Sequence, residues 1–397
     1  MAELTALGLR AKPVEGGATW TGGLRSVAAA NLCLHTASRI LVRAAEFRAT
    51  AFFELERHAK RVPWERFVVA GGTVEFRVTC RKSKLYHSDA VAQRLAEAVT
   101  RRVPHARVAE PRADDDEEID KPPGEQLFIV RFFHDVCTIS ADSSGELLHR
   151  RGYRQQLGKA PLRETLAAAA LMGAGWNGDA PLVDPMCGSG TIAIEAARLA
   201  RRIAPGRDRS FAFVKWPECE PAIWSALLDE ARHGELASSP VSIAGYDRDA
   251  GAIAAATANA ERAGVAADID FRAQPISSLA WAPPPGMMLS NPPYGVRVGD
   301  PDRLRNLYAQ LGNIVRARRR GWTLGLVSAD RRLERRANLD FQERFRTRNG
   351  GIAVHLIVAR VPNEAALSGQ REETGHAPER VRSVQLEQAA RRSDQPG

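Results

Sequence analysis

Apolar positions in the first part of the chain recur at helical spacing over residues 24–43, 52–60 and 89–101, with short β-rich runs such as 73–79 between them. A period near 3.6 marks a helix with one buried face and a period of two marks a half-buried strand, so the mixture predicts an α+β module. An acidic run at 114–118 followed by Pro122-Pro123-Gly124 reads as a solvated loop, and a strand pair is predicted over 127–133 and 136–142. Ser143-Ser144-Gly145 and Arg150-Arg151-Gly152 mark 143–152 as a linker. Beyond it apolar strands at 181–184, 241–247, 268–272, 287–291 and 323–328 alternate with helices, the pattern of an α/β domain with a parallel sheet covered on both faces. Residues 345–348 and 352–360, around Asn349-Gly350-Gly351, predict a closing antiparallel hairpin. The expected organisation is an α+β module over 1–142, a linker, an α/β domain over 153–362 and a disordered tail over 363–397, where periodicity fades.

With 397 residues, 44% of them hydrophobic, the chain can bury two independent cores. Its 56 Lys and Arg against 47 Asp and Glu, a net charge of +9, favour a polyanionic partner over a neutral metabolite. Cys33, Cys80, Cys137, Cys187 and Cys219 lie far apart with no CxxC pair, so no metal site or disulfide framework is expected, and a reducing cytoplasm fits. No basic-then-apolar leader follows Met1 and no uninterrupted run of about 18 apolar residues occurs, so neither secretion nor membrane spanning is expected. A monomer is expected.

Two segments bear chemistry. Asp184-Pro185-Met186-Cys187-Gly188-Ser189-Gly190-Thr191 joins a predicted strand to a predicted helix over 191–202, the place where open α/β sheets bind ligands. Gly188, Gly190 and Ala193 also fit a dinucleotide fingerprint, so this loop alone leaves a nicotinamide and an S-adenosylmethionine site both open. A nicotinamide site needs an acid roughly 20 residues past the glycines. Here a long insertion delays the next strand, whose last residue, Asp247, is the candidate ribose ligand, with Asp249 the better helix cap.

The second segment, Asn291-Pro292-Pro293-Tyr294, leaves a buried strand at the same sheet edge. An exocyclic base amine is a poor nucleophile because its lone pair is delocalised into the ring. The Asn291 side-chain oxygen and the Pro292 carbonyl can accept its two N–H bonds, Pro293 stiffens the turn, and Tyr294 offers a stacking surface to an extruded base. Asn291 therefore borders both acceptor and donor. By themselves these residues specify only an amine or amide held against a methyl donor.

Arg151-Gly152-Tyr153-Arg154, the stretch from Ala160 through Thr165, Arg209-Ser210-Phe211-Ala212-Phe213, Lys215-Trp216-Pro217 and Ser290 to Gly295 resemble the THUMP-domain RNA guanine-N2 methyltransferases, over about residues 10–362. The best match is the type acting on bacterial 23S rRNA, with the tRNA type close behind. The resemblance implies a class I, Rossmann-like methyltransferase domain with a mostly parallel seven-stranded sheet, preceded by a ferredoxin-like and THUMP RNA-binding module. S-adenosyl-L-methionine is the implied cofactor, rRNA the implied partner and guanine N2 the implied acceptor. It also gives Arg154 and Thr165 a supporting role at the cofactor, and Arg81, Lys82 and Lys84 a role on the RNA phosphates.

Two departures stand out. The chain starts near the end of the first helix usual in the family, at Leu4-Thr5-Ala6-Leu7-Gly8, which leaves two readings open, a truncated first unit or a misassigned start. Pro275 stands where the family commonly has an acid that contacts the adenine amino group, and a proline cannot make that contact. Between Arg316 and Arg348 eleven arginines face four acids, and Arg318, Arg319 and Arg320 are expected on a phosphate-contacting face. The same acceptor chemistry would serve adenine N6 or a glutamine amide. A non-catalytic RNA-binding or ribosome-assembly protein is the rival from another class.

Overall fold

The computed structural model describes residues 1–109, 125–155, 162–278, 285–293, 301–318 and 320–361. The acidic run 114–118, Pro122-Pro123-Gly124 and the segment 363–397 lie outside them. A short helix α1 (Ala2–Ala6) and a hairpin of β1 (Ala11–Val14) and β2 (Gly17–Trp20) lead into α2 (Leu24–Cys33). Strands β3 (Leu41–Arg48), β4 (Thr73–Arg81), β5 (Arg107–Val108), β6 (Glu125–Phe133) and β7 (Val136–Asp142) then form a sheet in the order β3-β7-β6-β4-β5. Helices α3 (Phe52–Ala59) and α4 (Ser88–Arg102) complete this module.

The helix expected over residues 24–43 ends ten residues early, at Cys33. Leu34 already has extended backbone, and the apolar residues beyond it belong to β3, which pairs antiparallel with β7 from Leu41↔Asp142 to Arg48↔Val136. Val42 and Phe47 pack into the core from that strand. Ladder bonds plus burial outweigh a local helical spacing.

The second half contains α5 (Glu164–Gly173), β8 (Leu182–Asp184), α6 (Thr191–Ala200), α7 (Pro221–His233), β9 (Ile243–Asp247), α8 (Ala250–Arg262), β10 (Ile269–Ala273) and β11 (Met287–Ser290). It continues with α9 (Pro301–Arg318), β12 (Thr323–Ser328), α10 (Arg331–Arg336), β13 (Gln342–Asn349) and β14 (Ile352–Arg360). The sheet order is β10-β9-β8-β11-β12-β14-β13, parallel from β10 to β12 and antiparallel at the closing hairpin. Chain order reverses between β8 and β11, which opens a crevice at the carboxyl ends of those strands. Both sheet faces are buried: Leu289, Leu356 and Val358 pack on one side with α5 and α6 residues, while Met288, Leu326 and Ile357 pack on the other with Tyr308 and Leu311 of α9. Among the described residues no helix is long and apolar enough to cross a membrane.

The insertion that separates α6 from β9 packs onto the first module. Phe211, Phe213, Trp216 and Leu227 lie in the same apolar cluster as Leu32, Phe67 and Phe128. Trp216 donates its indole N–H to Gln126 Oε1 at 2.7 Å and stands edge-on to Phe67 at 5.0 Å. The 143–152 segment, expected as a linker, is largely buried: Ser143, Ser144, Leu148 and Arg151 are enclosed, and Arg209 donates to the carbonyls of Leu147 and Arg150, both at 2.8 Å. Small and hydroxyl side chains suit such a strap because Asn31, Ser143 and Ser144 satisfy one another internally.

At Gly206 the two halves touch backbone to backbone. Its N–H donates to Leu32 carbonyl at 2.9 Å, and a Cβ there would stand 2.7 Å from Asn31 O and 2.9 Å from Leu32 Cα. Neither neighbour is a side chain that can swing away. Gly206→Ala is therefore expected to destabilise the chain by about 2 kcal/mol, read as a lowered urea midpoint; an unchanged midpoint would contradict this account of the junction.

Candidate active site at the carboxyl edge of the parallel sheet

The glycine loop leaves β8 and folds back onto the end of β9. Cys187 N–H donates to Tyr246 carbonyl at 2.8 Å and Gly188 N–H to Asp247 Oδ2 at 3.0 Å. Gly188 has φ of +52° and Gly190 φ of +84°, the left-handed region that glycine enters without strain. A Cβ on Gly190 would press on Ala256 and Phe271 at 2.9 and 3.0 Å, so this glycine is required for packing α6 against α8 and β10. A Cβ on Gly188 would meet nothing within 4 Å, so that side of the loop faces open space. Thr191 begins α6 and is buried, and Asn259 Nδ2 fixes the loop by donating to Ser189 carbonyl at 3.1 Å.

Asp247 does not cap α8. Asp249 does, accepting from Gly251 N and Ala252 N. Asp247 accepts one N–H on each oxygen, Gly188 on Oδ2 and Asp249 on Oδ1 at 3.0 Å. A carboxylate has about four acceptor positions, which leaves each oxygen able to take a further hydroxyl.

Across the switch point Asp184 is buried, 1% exposed, at the end of β8. It accepts from the Ser290 hydroxyl at 2.7 Å and from Met186 N–H at 3.2 Å, joining the glycine loop to the strand that delivers Asn291. Asn291 Oδ1 is buried and accepts no hydrogen bond from the described residues. Pro292 behind it is buried, and Pro293 is partly so. Tyr294 lies outside the described residues.

The structure therefore brings Asp184, Pro185, Cys187, Gly188, Gly190, Thr191, Asp247 and Asn291 to one edge. Arg154 donates to Leu162 carbonyl at 2.7 Å and pairs with Glu164 at 3.2 Å, and Thr165 is buried at the start of α5. Burial pushes the Glu164 carboxyl up to about 7. Arg81, Lys82 and Lys84 are exposed at the end of β4, in a turn held by Lys84 N–H donating to Asp135. Arg318 and Arg320 do not join the site. Arg318 ends α9 and Arg320 follows it, just before Thr323, which pairs with Met287 at the start of β11, so they lie at the opposite sheet edge from Asn291. Arg319 lies outside the described residues. Within the arginine-rich run 316–348, Arg331 and Arg332 follow the carboxyl end of β12 and are exposed nearer the crevice.

Sequence reasoning passed over Ser290 and Asn259. Each is a polar residue inside an apolar or alanine-rich segment, the only signal the sequence gave of either, and the structure buries both fully.

Burial raises the Asp184 carboxyl from its ordinary 3.8 to about 7, although the Ser290 and Met186 hydrogen bonds pull the other way. The folded chain thus holds this proton more tightly than the unfolded chain. The associated stability is complete below the unfolded value and is lost as pH rises to about 7. In Asp184→Asn the amide oxygen still accepts from Ser290 but cannot ionise. The melting temperature of the variant minus that of the native chain should rise from pH 5 to pH 8, and parallel pH curves would contradict the assignment.

Comparison with known proteins agrees with this architecture. Residues 151–357 match the family described as UPF0020, RMKL-like, methyltransferase domain, and residues 1–41 match a ferredoxin-like domain described for RlmL. The ribosomal RNA large subunit methyltransferase K/L of Syntrophotalea carbinolica is 37% identical over 369 residues, covering 89% of this chain and 51% of the relative. The chain thus spans about half the length of that protein. Synechocystis sp. slr0064, which carries an RNA methyltransferase designation, is 33% identical, with 89% of this chain and 91% of the relative covered. Among solved structures, SMU.472 in complex with SAH superposes with a TM-score of 0.79 at 28% identity, covering 91% of this chain and 94% of its own. A Listeria monocytogenes protein described as a predicted N6-adenine-specific DNA methylase gives 0.79 at 29% identity, covering 89% and 91%. By sequence, fold and site geometry, the chain belongs to the RMKL-like methyltransferase domain family.

Proposed function

We propose that the chain is an S-adenosylmethionine-dependent RNA methyltransferase that modifies the exocyclic N2 of a guanine in 23S ribosomal RNA. The observation that carries this reading is Asn291 Oδ1, buried without a partner among the described residues at the strand end beside the glycine loop. An unsatisfied buried acceptor is costly unless a ligand completes it. A guanine amine has two N–H bonds; Asn291 Oδ1 and Pro292 carbonyl accept them and draw the nitrogen toward tetrahedral geometry. Tyr294 is assigned the face on which the extruded base stacks.

The residues of the edge fit an S-adenosyl group. Each Asp247 oxygen retains acceptor capacity for one ribose hydroxyl, and the open side of Gly188 admits close approach of the ligand. When bound, the cofactor supplies a methyl sulfonium that is already activated. The chain therefore needs to orient and desolvate the reactants more than to supply a strong base. The Ser290–Asp184 bond keeps the two loops in register for that orientation.

The RNA substrate is supported by the designations of the K/L and slr0064 relatives and by the net charge of +9. Arg81, Lys82 and Lys84 are assigned to phosphates. Adenine N6 is the second reading, favoured by the description attached to the Listeria structure and by an acceptor site that suits any exocyclic amine.

With tritium-labelled S-adenosylmethionine and undermodified large-subunit rRNA, label is expected in N2-methylguanosine. Asn291→Ala should lower the rate at least ~100-fold while S-adenosylhomocysteine still binds within a few-fold. Label recovered in N6-methyladenosine would replace guanine by adenine. Neutralising Arg81, Lys82 and Lys84 together with glutamine should reduce the salt slope of RNA binding by about 2 to 3. The same change at Arg318 and Arg320 should leave it nearly unaltered, and the reverse ranking would move the RNA face to the far edge.

A further inference from the structure

The order of strands along the site predicts where the base of the methyl donor lies. From the acceptor side the edge runs β11, β8, β9, β10. Asn291 follows β11, the glycine loop follows β8 and Asp247 ends β9. A molecule that presents its methyl group toward Asn291 and its ribose to Asp247 must extend its base over the end of β10. There Ala273 pairs with Asp247, and the next residue, Gln274, donates its backbone N–H to Asp247 carbonyl at 2.8 Å.

The side-chain oxygen of Gln274 is buried and has no hydrogen-bond partner among the described residues. Pro275 beside it is exposed, and Ile276 is buried among Tyr246, Met288 and Tyr308. The segment is thus anchored by Ile276, with the glutamine held inward and the proline outward. Apart from Asn291, Gln274 is the one residue just beyond these four strand ends with a buried, unpartnered side-chain oxygen among the described residues. The N6/N7 edge of adenine presents an amine donor next to a ring-nitrogen acceptor, which a carboxamide matches with its own acceptor and donor, whereas hypoxanthine presents two acceptors on that edge.

We propose that Gln274 recognises the adenine amino edge of the cofactor, supplying the acceptor that Pro275 cannot. The assignment rests on the S-adenosylmethionine reading given above. It makes Gln274 a specificity residue for the donor, with no part in the methyl transfer itself.

Calorimetric titration with two ligands tests it: S-adenosylhomocysteine, and S-inosylhomocysteine, in which a carbonyl replaces the adenine amine. The native chain should prefer the adenosyl ligand by about tenfold or more. Gln274→Leu should weaken the adenosyl ligand by a similar factor and bring the two affinities together. Gln274→Glu keeps an acceptor and should hold the adenosyl affinity within about threefold while rejecting the inosyl ligand. If Gln274→Leu weakens both ligands equally, or neither, the residue is structural or irrelevant and the proposal falls. A Gln274→Glu variant that no longer discriminates overturns it as well. Native protein that binds neither ligand would remove the donor reading itself, and with it this assignment.

Discussion

One buried hydrogen bond, from the Ser290 hydroxyl to Asp184 Oδ1, couples the two loops on which the site depends. The glycine loop leaves β8 and Asn291 leaves β11, and these strands meet where the order of the sheet reverses. Their ladder is short, with Met287 and Met288 opposite Leu182 and Val183. Beyond it the backbones part to form the crevice, and the Ser290–Asp184 pair carries the connection past the last ladder bond. A donor loop and an acceptor loop held this way keep a fixed separation, which is what a transfer between two bound groups requires.

A second set of buried contacts runs from the domain junction to the same loop. Tyr153, at the end of the buried strap, donates its hydroxyl to Glu195 of α6 at 2.9 Å and accepts through its carbonyl from Arg262 Nε at 2.8 Å. Arg262 also contacts Asn259 Oδ1, and Asn259 donates to Ser189 carbonyl within the glycine loop. The strap is itself clamped by Arg209 from the insertion, whose aromatic residues share the core of the first module. The insertion that makes the chain unlike a compact dinucleotide fold therefore ties the N-terminal module to the glycine-loop edge of the sheet.

Much of the catalytic half was legible in sequence because its strands are buried on both faces and read as continuous apolar runs. Residues 323–328 were placed without error, and the other parallel strands within one or two residues. The division of labour between Asp247 and Asp249 followed from their spacing to the helix start. The helix expected over 24–43 overran the loop and the first three residues of the strand Leu41–Arg48, because their apolar spacing is ambiguous and the strand's partner, Val136–Asp142, lies far along the chain. Arg318 and Arg320 looked close to the active site by sequence distance, yet the 18 residues of α9 carry the chain about 27 Å back along the sheet. Ser290 and Asn259 act through contacts with distant segments, which no local pattern records.

The central claim is that Asn291 and Pro292 hold a guanine amine of ribosomal RNA against a methyl donor. Nucleoside mass spectrometry of large-subunit rRNA from a strain lacking the gene addresses it most directly. The account predicts one N2-methylguanosine replaced by guanosine and restored by the native gene but not by an Asn291→Ala copy. Unchanged N2-methylguanosine in the deletion strain, or restoration by the Asn291→Ala copy, would contradict it.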